Sequence, residues 1–520
     1  MSTSKNFVLG VSTGIAGIGI KTLLNILVYP YVLRKLGIEK YGLYVLLLNL
    51  VDLIVLMDMG LTSGIIQSLS SARAKLADEE AKQILSGGLI LYSLLACLSF
   101  LICFSLIPHI SAFFGFSHEI TIIATFCLYV ILLEGTLTLF QGYFSAVLIA
   151  HTRYQWVNTS ESLYFLISNG GIFVLLHLGY GLQQIALLRL GSAVIKFILI
   201  FFHAVRIDAD CIKPFFFNLK KSIEVLKISL HAMVRTVSDI FSSRMDLILI
   251  GRFLSLPAVA MQEFIYRFLN LVMQLPIQVA NTVFPVFAIL KASQDNANAR
   301  LLFLRLSCFI NFSVILLLSI LCFYYHDIFT FFSGGRISFE KSVPLFILAL
   351  PGIISMSLSF PASQYLFAVG KFRLITTSCT ITSLLRFVMV ILLIHRYGLI
   401  GVIFSTLAMS LVYHQILLIR STCKDLSIGL IHYVSQVYFL ILPALLVSLS
   451  GIYLLKQAQQ ITPIHPMAQP LITAAIVIPA GYLIWYFTTA SRQERDLVKK
   501  TVHRISRKLL TGRELETALS

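Results

Sequence analysis

Fourteen ionisable residues stand inside stretches that are otherwise apolar enough to cross a membrane. The cations are Lys21, Arg189, Lys196, Arg235, Arg244, Arg267 and Arg386, and the acids are Asp52, Asp58, Glu134, Glu161, Asp239, Asp246 and Glu263. On insertion scales each costs about 2.5–3.5 kcal/mol at mid-membrane, so these side chains must pair or line a hydrated interior. Guanidinium and ammonium groups there suit an anion, Arg through its forked donors and Lys as a point charge. The carboxylates have two uses: coupling transport to a proton or sodium gradient, or serving as counter-ions to the cations.

Spacing sorts these groups. Arg235 with Asp239, and Glu263 with Arg267, are four residues apart and so share a helix face, which makes each a candidate structural pair. Arg244 and Asp246 are two apart and point to different faces, so neither neutralises the other. Asp58 and Asp246 lie near span ends, where capping or snorkelling accounts for them. Lys21 is mid-span with no acid three or four residues away.

The elements that position these groups follow from composition. The chain has 520 residues, 58% hydrophobic and 12% charged, with a mean hydropathy of +0.89. Soluble domains carry about 25% charged residues, and repeated apolar runs of about 20 residues are long enough to span a bilayer. An all-α integral membrane protein is expected. The runs fall at about 7–33, 42–70, 84–107, 120–149, 157–177, 182–204, 224–250, 258–290, 301–324, 342–368, 374–395, 399–419, 431–455 and 468–489. That is fourteen spans. The net charge of +17 lies between and after these runs, as topology requires and nucleic-acid binding does not. The eight cysteines and twelve histidines show no metal spacing. Only Lys5 precedes the first run, and there is no short cleavable region, so an uncleaved anchor is expected. With the N-terminus inside, cytoplasmic segments hold 25 Lys and Arg against 8 on the other side, which places both termini in the cytoplasm.

A shift of 218 residues reveals a duplication. Arg34 and Leu36 fall on Arg252 and Leu254; Leu148, Ala150, Arg153 and Tyr154 fall on Leu366, Ala368, Lys371 and Phe372; Leu175 and His177 fall on Leu393 and His395. The expected organisation is a six-helix lobe at 1–205, a basic cytoplasmic linker at 206–223 and a second six-helix lobe at 224–420. Two further helices at 431–489 and a basic tail at 490–520 complete it. Units with an even helix count enter from the same side, the parallel-repeat pattern of transporters with a site between halves.

The segments Leu36-Gly37, Tyr41-Gly42-Leu43-Tyr44, Asp58-Met59-Gly60-Leu61 and Asp246-Leu247-Ile248-Leu249-Ile250-Gly251 resemble those of Wzx-type O-antigen and polysaccharide flippases. The small-residue turns Ala150-His151-Thr152-Arg153 and Ala368-Val369-Gly370-Lys371 share the likeness. Those flippases belong to the multidrug/oligosaccharidyl-lipid/polysaccharide exporter superfamily. The resemblance covers about the first 420 residues. It departs at Ser255 and Ala260, where the first copy has Gly37 and Gly42, and in having fourteen spans rather than twelve. It implies a two-lobed alternating-access carrier of an undecaprenyl-pyrophosphate-linked oligosaccharide in the bacterial inner membrane. The bound partners are that substrate and membrane lipids, with other polysaccharide-assembly proteins as further candidates.

Within that frame Lys21, Arg235 and Asp239 are expected to meet, since 21 plus 218 is 239. Lys21 and Arg235 would hold the pyrophosphate, Arg267 and Arg386 rank behind them, and Asp52, Glu134 and Asp239 are the coupling or counter-ion candidates. No cofactor is called for. A cation-coupled drug exporter of the same superfamily is the nearest alternative, and the seven-to-seven charge tally keeps it open. A membrane-embedded glycan polymerase or ligase needs a larger outer loop than the five to seventeen residues present, and no GxxxxGK[ST] phosphate cradle occurs. Lys21→Ala is expected to abolish glycan export while the protein still inserts; normal surface glycan in that mutant would remove Lys21 from the site.

Overall fold

Where no water is available, each backbone N–H and C=O must be satisfied within its own segment, so the long apolar runs become helices. The computed structural model describes residues 27–58, 60–214, 217–461 and 468–489, with Thr13, Gly17, Gly19, Lys21 and Leu24 before them. Regular structure among the described residues is helical throughout. Helix α1 is described over 27–36, followed by α2 (Ile38–Val55), α3 (Leu61–Ala74), α4 (Asp78–Phe114) and α5 (His118–Ala150). Next come α6 (Tyr154–His177), α7 (Leu182–Ile207), α8 (Leu219–Phe253), α9 (Leu256–Ala292) and α10 (Asn296–Phe323). The short α11 (Tyr325–Ser333) leads to α12 (Phe339–Ala368) and α13 (Phe372–Ser410). The chain ends in α14 (Arg420–Asp425), α15 (Leu430–Val434), α16 (Leu442–Ile461) and α17 (Ala468–Thr489).

Ten helices among the described residues are long and apolar enough to cross a membrane. The difference from fourteen has four local reasons. The 7–33 run lies largely outside the described residues, as does the 490–520 tail. The 42–70 run is broken by a 3-10 turn at Leu56–Asp58 and by left-handed Gly60, leaving α2 and α3 short. Helix α8 is 35 residues long, but Arg235, Asp239, Arg244 and Asp246 dilute its apolar character. The 374–395 and 399–419 runs form one continuous stretch, Phe372–Asp425, kinked at Gly398 with φ 56°.

Contacts group the chain into two units. One comprises Met1–Phe268, Phe332–Ala349 and Phe372–Tyr413, the other Leu269–Phe331, Leu350–Lys371 and His414–Ser520. The first has a core in which Leu61, Ile65 and Leu69 of α3 meet Leu85 and Tyr92 of α4 and Tyr143 and Phe144 of α5. The second is built on Cys308, Phe312, Leu316, Ile320 and Tyr324, one residue per turn of α10, against α16 and α17. Leu94, Leu98, Leu101 and Phe104 on α4 are exposed apolar residues, the surface a lipid-facing helix presents.

The stretch after α7 is strapped to the first unit's helix ends. Arg73 Nη2 donates to Asp208 at 2.5 Å, Tyr143 Oη donates to the Cys211 carbonyl at 2.8 Å, and Ser86 Oγ donates to the Lys213 carbonyl at 2.6 Å.

Two turns recur at the 218-residue spacing. Leu76 and Gln294 are both left-handed at φ 56°, and both follow the same bonds: Leu76 N to Arg73 O and Ala77 N to Ala72 O, then Gln294 N to Lys291 O and Asp295 N to Leu290 O. Thr152 and Gly370 are left-handed at φ 59° and 79°, with Arg153 N bonded to Leu148 O and Lys371 N to Leu366 O. These are helix C-caps in which two amides satisfy the last free carbonyls. The first-copy turn at Gly37 uses φ 81°, whereas Ser255 begins α9 by offering its Oγ to Ala258 N at 3.3 Å. The Gly-to-Ser departure is therefore a change of turn chemistry, from left-handed glycine to N-cap.

Gly42 packs against the start of α9: a Cβ there would stand 2.0 Å from the Leu256 carbonyl oxygen. Gly42→Ala is expected to cost about 1–3 kcal/mol as α2 and α9 are forced apart. Leu76→Gly is expected to do the opposite, because an exposed left-handed leucine carries about 1–2 kcal/mol of strain. Thermal unfolding of the purified protein should show a lower Tm for the first and a higher Tm for the second.

Candidate functional site

The first unit gathers most of the span charges, and it joins them across helices. Glu134 on α5 is buried and receives Arg189 of α7 in a forked contact, Nη2 to Oε1 at 2.7 Å and Nε to Oε2 at 3.3 Å. Tyr164 Oη of α6 donates to the same Oε1 at 2.8 Å. One turn along α7, Lys196 pairs with Glu161 of α6 and lies 5.2 Å from the centre of the Tyr164 ring. Charge-assisted forks of this kind satisfy both partners, which a carboxylate that is only 2% exposed requires.

A second group is open. Arg244 of α8 reaches Asp52 of α2, Nη2 to Oδ2 at 2.8 Å, and its Nη1 donates to Asn49 Oδ1 at 3.3 Å. The Arg244 and Asp52 side chains are 40% and 44% exposed, unlike the Arg189–Glu134 pair. Arg244, Arg189 and Lys21 all attract the Asp52 carboxylate, and Glu263 opposes them. Lys21 is exposed, with its ammonium 4.5 Å from the centre of the Phe165 ring. Among the described residues its close contact is this aromatic face rather than a carboxylate.

Arg267 lies on α9. It pairs with Glu263 four residues earlier on the same face and stacks its guanidinium 3.2 Å from the centre of the Tyr29 ring. A cation held flat on an aromatic face gains from the ring quadrupole. Arg386 of α13 pairs with Asp246 of α8, both side chains 12% exposed, and Thr406 Oγ1 donates to the same carboxylate at 3.3 Å. Asp58 accepts from Thr62 Oγ1 at 3.0 Å and from Tyr92 Oη. Arg235 and Asp239 lie on α8, but their side chains are outside the described residues, and with them the expected meeting with Lys21.

Arg244 and Asp246 do take separate partners, Asp52 and Arg386, as residues two apart on a helix must. Sequence reasoning named Arg189 and Arg244 as span charges without placing them at a site. Their partners are 55 residues away for Glu134 and 195 for Asn49, and no local periodicity points across that distance. No group of three or more His, Cys, Asp or Glu able to hold a metal occurs among the described residues.

The arrangement is a set of buried, fully committed pairs beside an exposed cationic patch of Lys21 and Arg244 around Asp52. The family model for polysaccharide biosynthesis proteins matches residues 7–291, more than half of the chain. The chain belongs to that family. The kinship read from Tyr41-Gly42-Leu43-Tyr44 and Asp58-Met59-Gly60-Leu61 is thereby borne out. No curated protein sequence matches the chain.

Solved structures share the fold. A lipid II flippase MurJ in an inward closed conformation aligns at TM-score 0.69 and 17% identity, over 94% of this chain and 100% of that one. An inward-facing MATE-family multidrug resistance transporter of the MOP superfamily aligns at TM-score 0.64 and 15% identity, over 81% of this chain and 99% of that one. A MOP superfamily transporter from Pyrococcus furiosus, its binding pocket described as of reverse polarity, aligns at TM-score 0.56 and 15% identity, over 81% and 97%. At these identities the likeness carries the fold, that of MOP-superfamily transporters.

The buried fork yields a stability prediction. Glu134→Gln strands the Arg189 guanidinium and is expected to destabilise the protein by about 3–5 kcal/mol. Replacing both residues with apolar ones, Glu134→Leu with Arg189→Met, should recover most of that loss in thermal unfolding.

Proposed function

We propose that this protein is a flippase that moves an undecaprenyl-pyrophosphate-linked oligosaccharide across the bacterial inner membrane by alternating access, for O-antigen or other surface polysaccharide assembly. It is a carrier, and no bond is made or broken. The observation that carries this reading is the contrast between the two sets of charges in the first unit. A pair exposed to about two-fifths, like Arg244–Asp52, is worth only about 0–1 kcal/mol. A diphosphate bringing two or more negative charges can displace Asp52 from Arg244 at little cost, with Lys21 adding a second cation. The buried Arg189–Glu134 and Arg386–Asp246 pairs resist such exchange, because each partner would be left uncompensated.

The finer architecture belongs to the same proposal. Fourteen spans, two parallel six-helix repeats at 1–205 and 224–420 joined by a 206–223 linker, two further helices at 431–489, and both termini with the 490–520 tail in the cytoplasm fit the Lys/Arg bias. The left-handed caps at Leu76 and Gln294, and at Thr152 and Gly370, support the repeat because each pair is 218 residues apart. Arg235 joins Lys21 and Arg244 as a pyrophosphate contact, while Arg267, held on Tyr29, and Arg386, held on Asp246, serve as outer positive charges. Asp52 is the acid placed to couple release to a proton or sodium ion, since it is freed when the anion takes Arg244; Glu134 and Asp239 are counter-ions.

The test is reconstitution in proteoliposomes with a fluorescent polyprenyl-diphosphate oligosaccharide on one side and a cationic dye on the other. Flipping of the lipid-linked sugar is expected, and Arg244→Gln should slow it about tenfold, as loss of one charge-assisted contact of about 1.5 kcal/mol implies. Gradient-driven efflux of the dye without flipping of the sugar would establish the drug-exporter alternative instead.

A further inference from the structure

In the second unit, at the start of α10, a cavity of about 310 Å³ opens between α10 and the facing segment that begins at α15. Its polar lining is Arg300, Arg305, His432 and Gln436, and its apolar lining includes Leu304 and Leu440. No carboxylate lines it. The acid nearest in sequence, Asp295, is committed to capping α10, accepting from Asn298 N at 3.1 Å and Asn298 Nδ2 at 2.6 Å. Two guanidiniums sharing a cavity without an acid stand apart from the span cations of the first unit, whose charges are answered by Glu134, Glu161, Asp52, Glu263 and Asp246.

The cavity also has a direction. Phe303 stacks on Tyr433 with ring centres 5.6 Å apart, and deeper in, Asn311 Nδ2 donates to the Val437 carbonyl at 2.8 Å, so the two segments run in parallel. Both enter from the side that the Lys/Arg bias makes cytoplasmic. His432 and Gln436 are succeeded by Leu440 along one segment, and Arg300 by Leu304 along the other, so polarity falls with depth. A π-helical turn at Ser435–Phe439 widens the backbone where Gln436 faces the cavity, a feature often found at functional sites. The volume is at the lower end for a ligand site.

We propose that this cavity binds the phosphate of an anionic phospholipid of the cytoplasmic leaflet. Arg300 and Arg305 hold the phosphodiester, Gln436 and His432 donate at its rim, and the first acyl carbons lie against Leu304 and Leu440. A basic pocket between spans on the cytoplasmic side is the setting in which anionic headgroups are recognised. The depth gradient selects a lipid over free phosphate, which would leave the apolar half unused. This site is separate from the Lys21–Arg244 patch and does not depend on what is carried there.

The test uses the full-length protein in detergent, exchanged with phosphatidylglycerol or phosphatidylcholine and examined by native mass spectrometry. Wild type is expected to retain phosphatidylglycerol about tenfold better than phosphatidylcholine, and the double variant R300Q/R305Q to lose that preference, at about 1 kcal/mol per cation. R300Q alone, at a partly exposed position, should lose about a third to a fifth of that factor on the same scale. Equal retention of the two lipids by wild type overturns the proposal, whether or not the double variant folds. So does unchanged preference in a folded R300Q/R305Q protein, and so does displacement of phosphatidylglycerol by millimolar inorganic phosphate, which would make this a site for the free anion.

Discussion

A charge in apolar surroundings must be answered, and in this protein the answer comes from another helix. Arg189–Glu134 ties α7 to α5, Lys196–Glu161 ties α7 to α6, Arg244–Asp52 ties α8 to α2, and Arg386–Asp246 ties α13 to α8. Leucine against leucine gives little preference for one neighbour when lipid tails are equally apolar. The ion pairs supply that preference, because a wrong neighbour would leave each charge alone at a cost of several kcal/mol. The helix order of the first unit therefore depends on these pairs more than on the shape of its apolar faces.

The same physics separates structure from function. Burial makes a pair permanent, as at Glu134, which is satisfied by Arg189 and Tyr164 together. Exposure makes a pair exchangeable, as at Asp52. A carrier must bind its cargo and let it go, so its contacts have to come from the exchangeable class. The close packing around these groups is set by glycine: Gly42 lets α2 meet the start of α9, and Gly64 lets α3 meet α8 at Val225 and Ser229.

The recurring caps show how a duplicated chain keeps its geometry while its residues drift. Leu76 and Gln294 share no chemistry, yet both take the left-handed turn that Gly370 takes without strain. The carbonyls at the end of a helix must be satisfied, and the geometry that does so persists whichever side chain sits there. Where the residue did change the solution, as from Gly37 to Ser255, the turn moved from a C-cap to an N-cap and still joins two long helices.

The sequence by itself determined the membrane class, the helical content, the family and the set of span charges, because hydropathy, Lys/Arg placement and short motifs are local signals. It also determined the Glu263–Arg267 pair, since four residues is one helix turn. It overcounted the uninterrupted spans: hydropathy averages over the 3-10 turn at Leu56–Asp58 and over the kink at Gly398, where single backbone angles decide. Only the tertiary structure decided which carboxylate each arginine meets across helices, and which of those pairs stays open to an anion. Both depend on contacts between residues far apart in the chain, and an apolar pattern that says which segments are in the membrane does not say which faces of them touch.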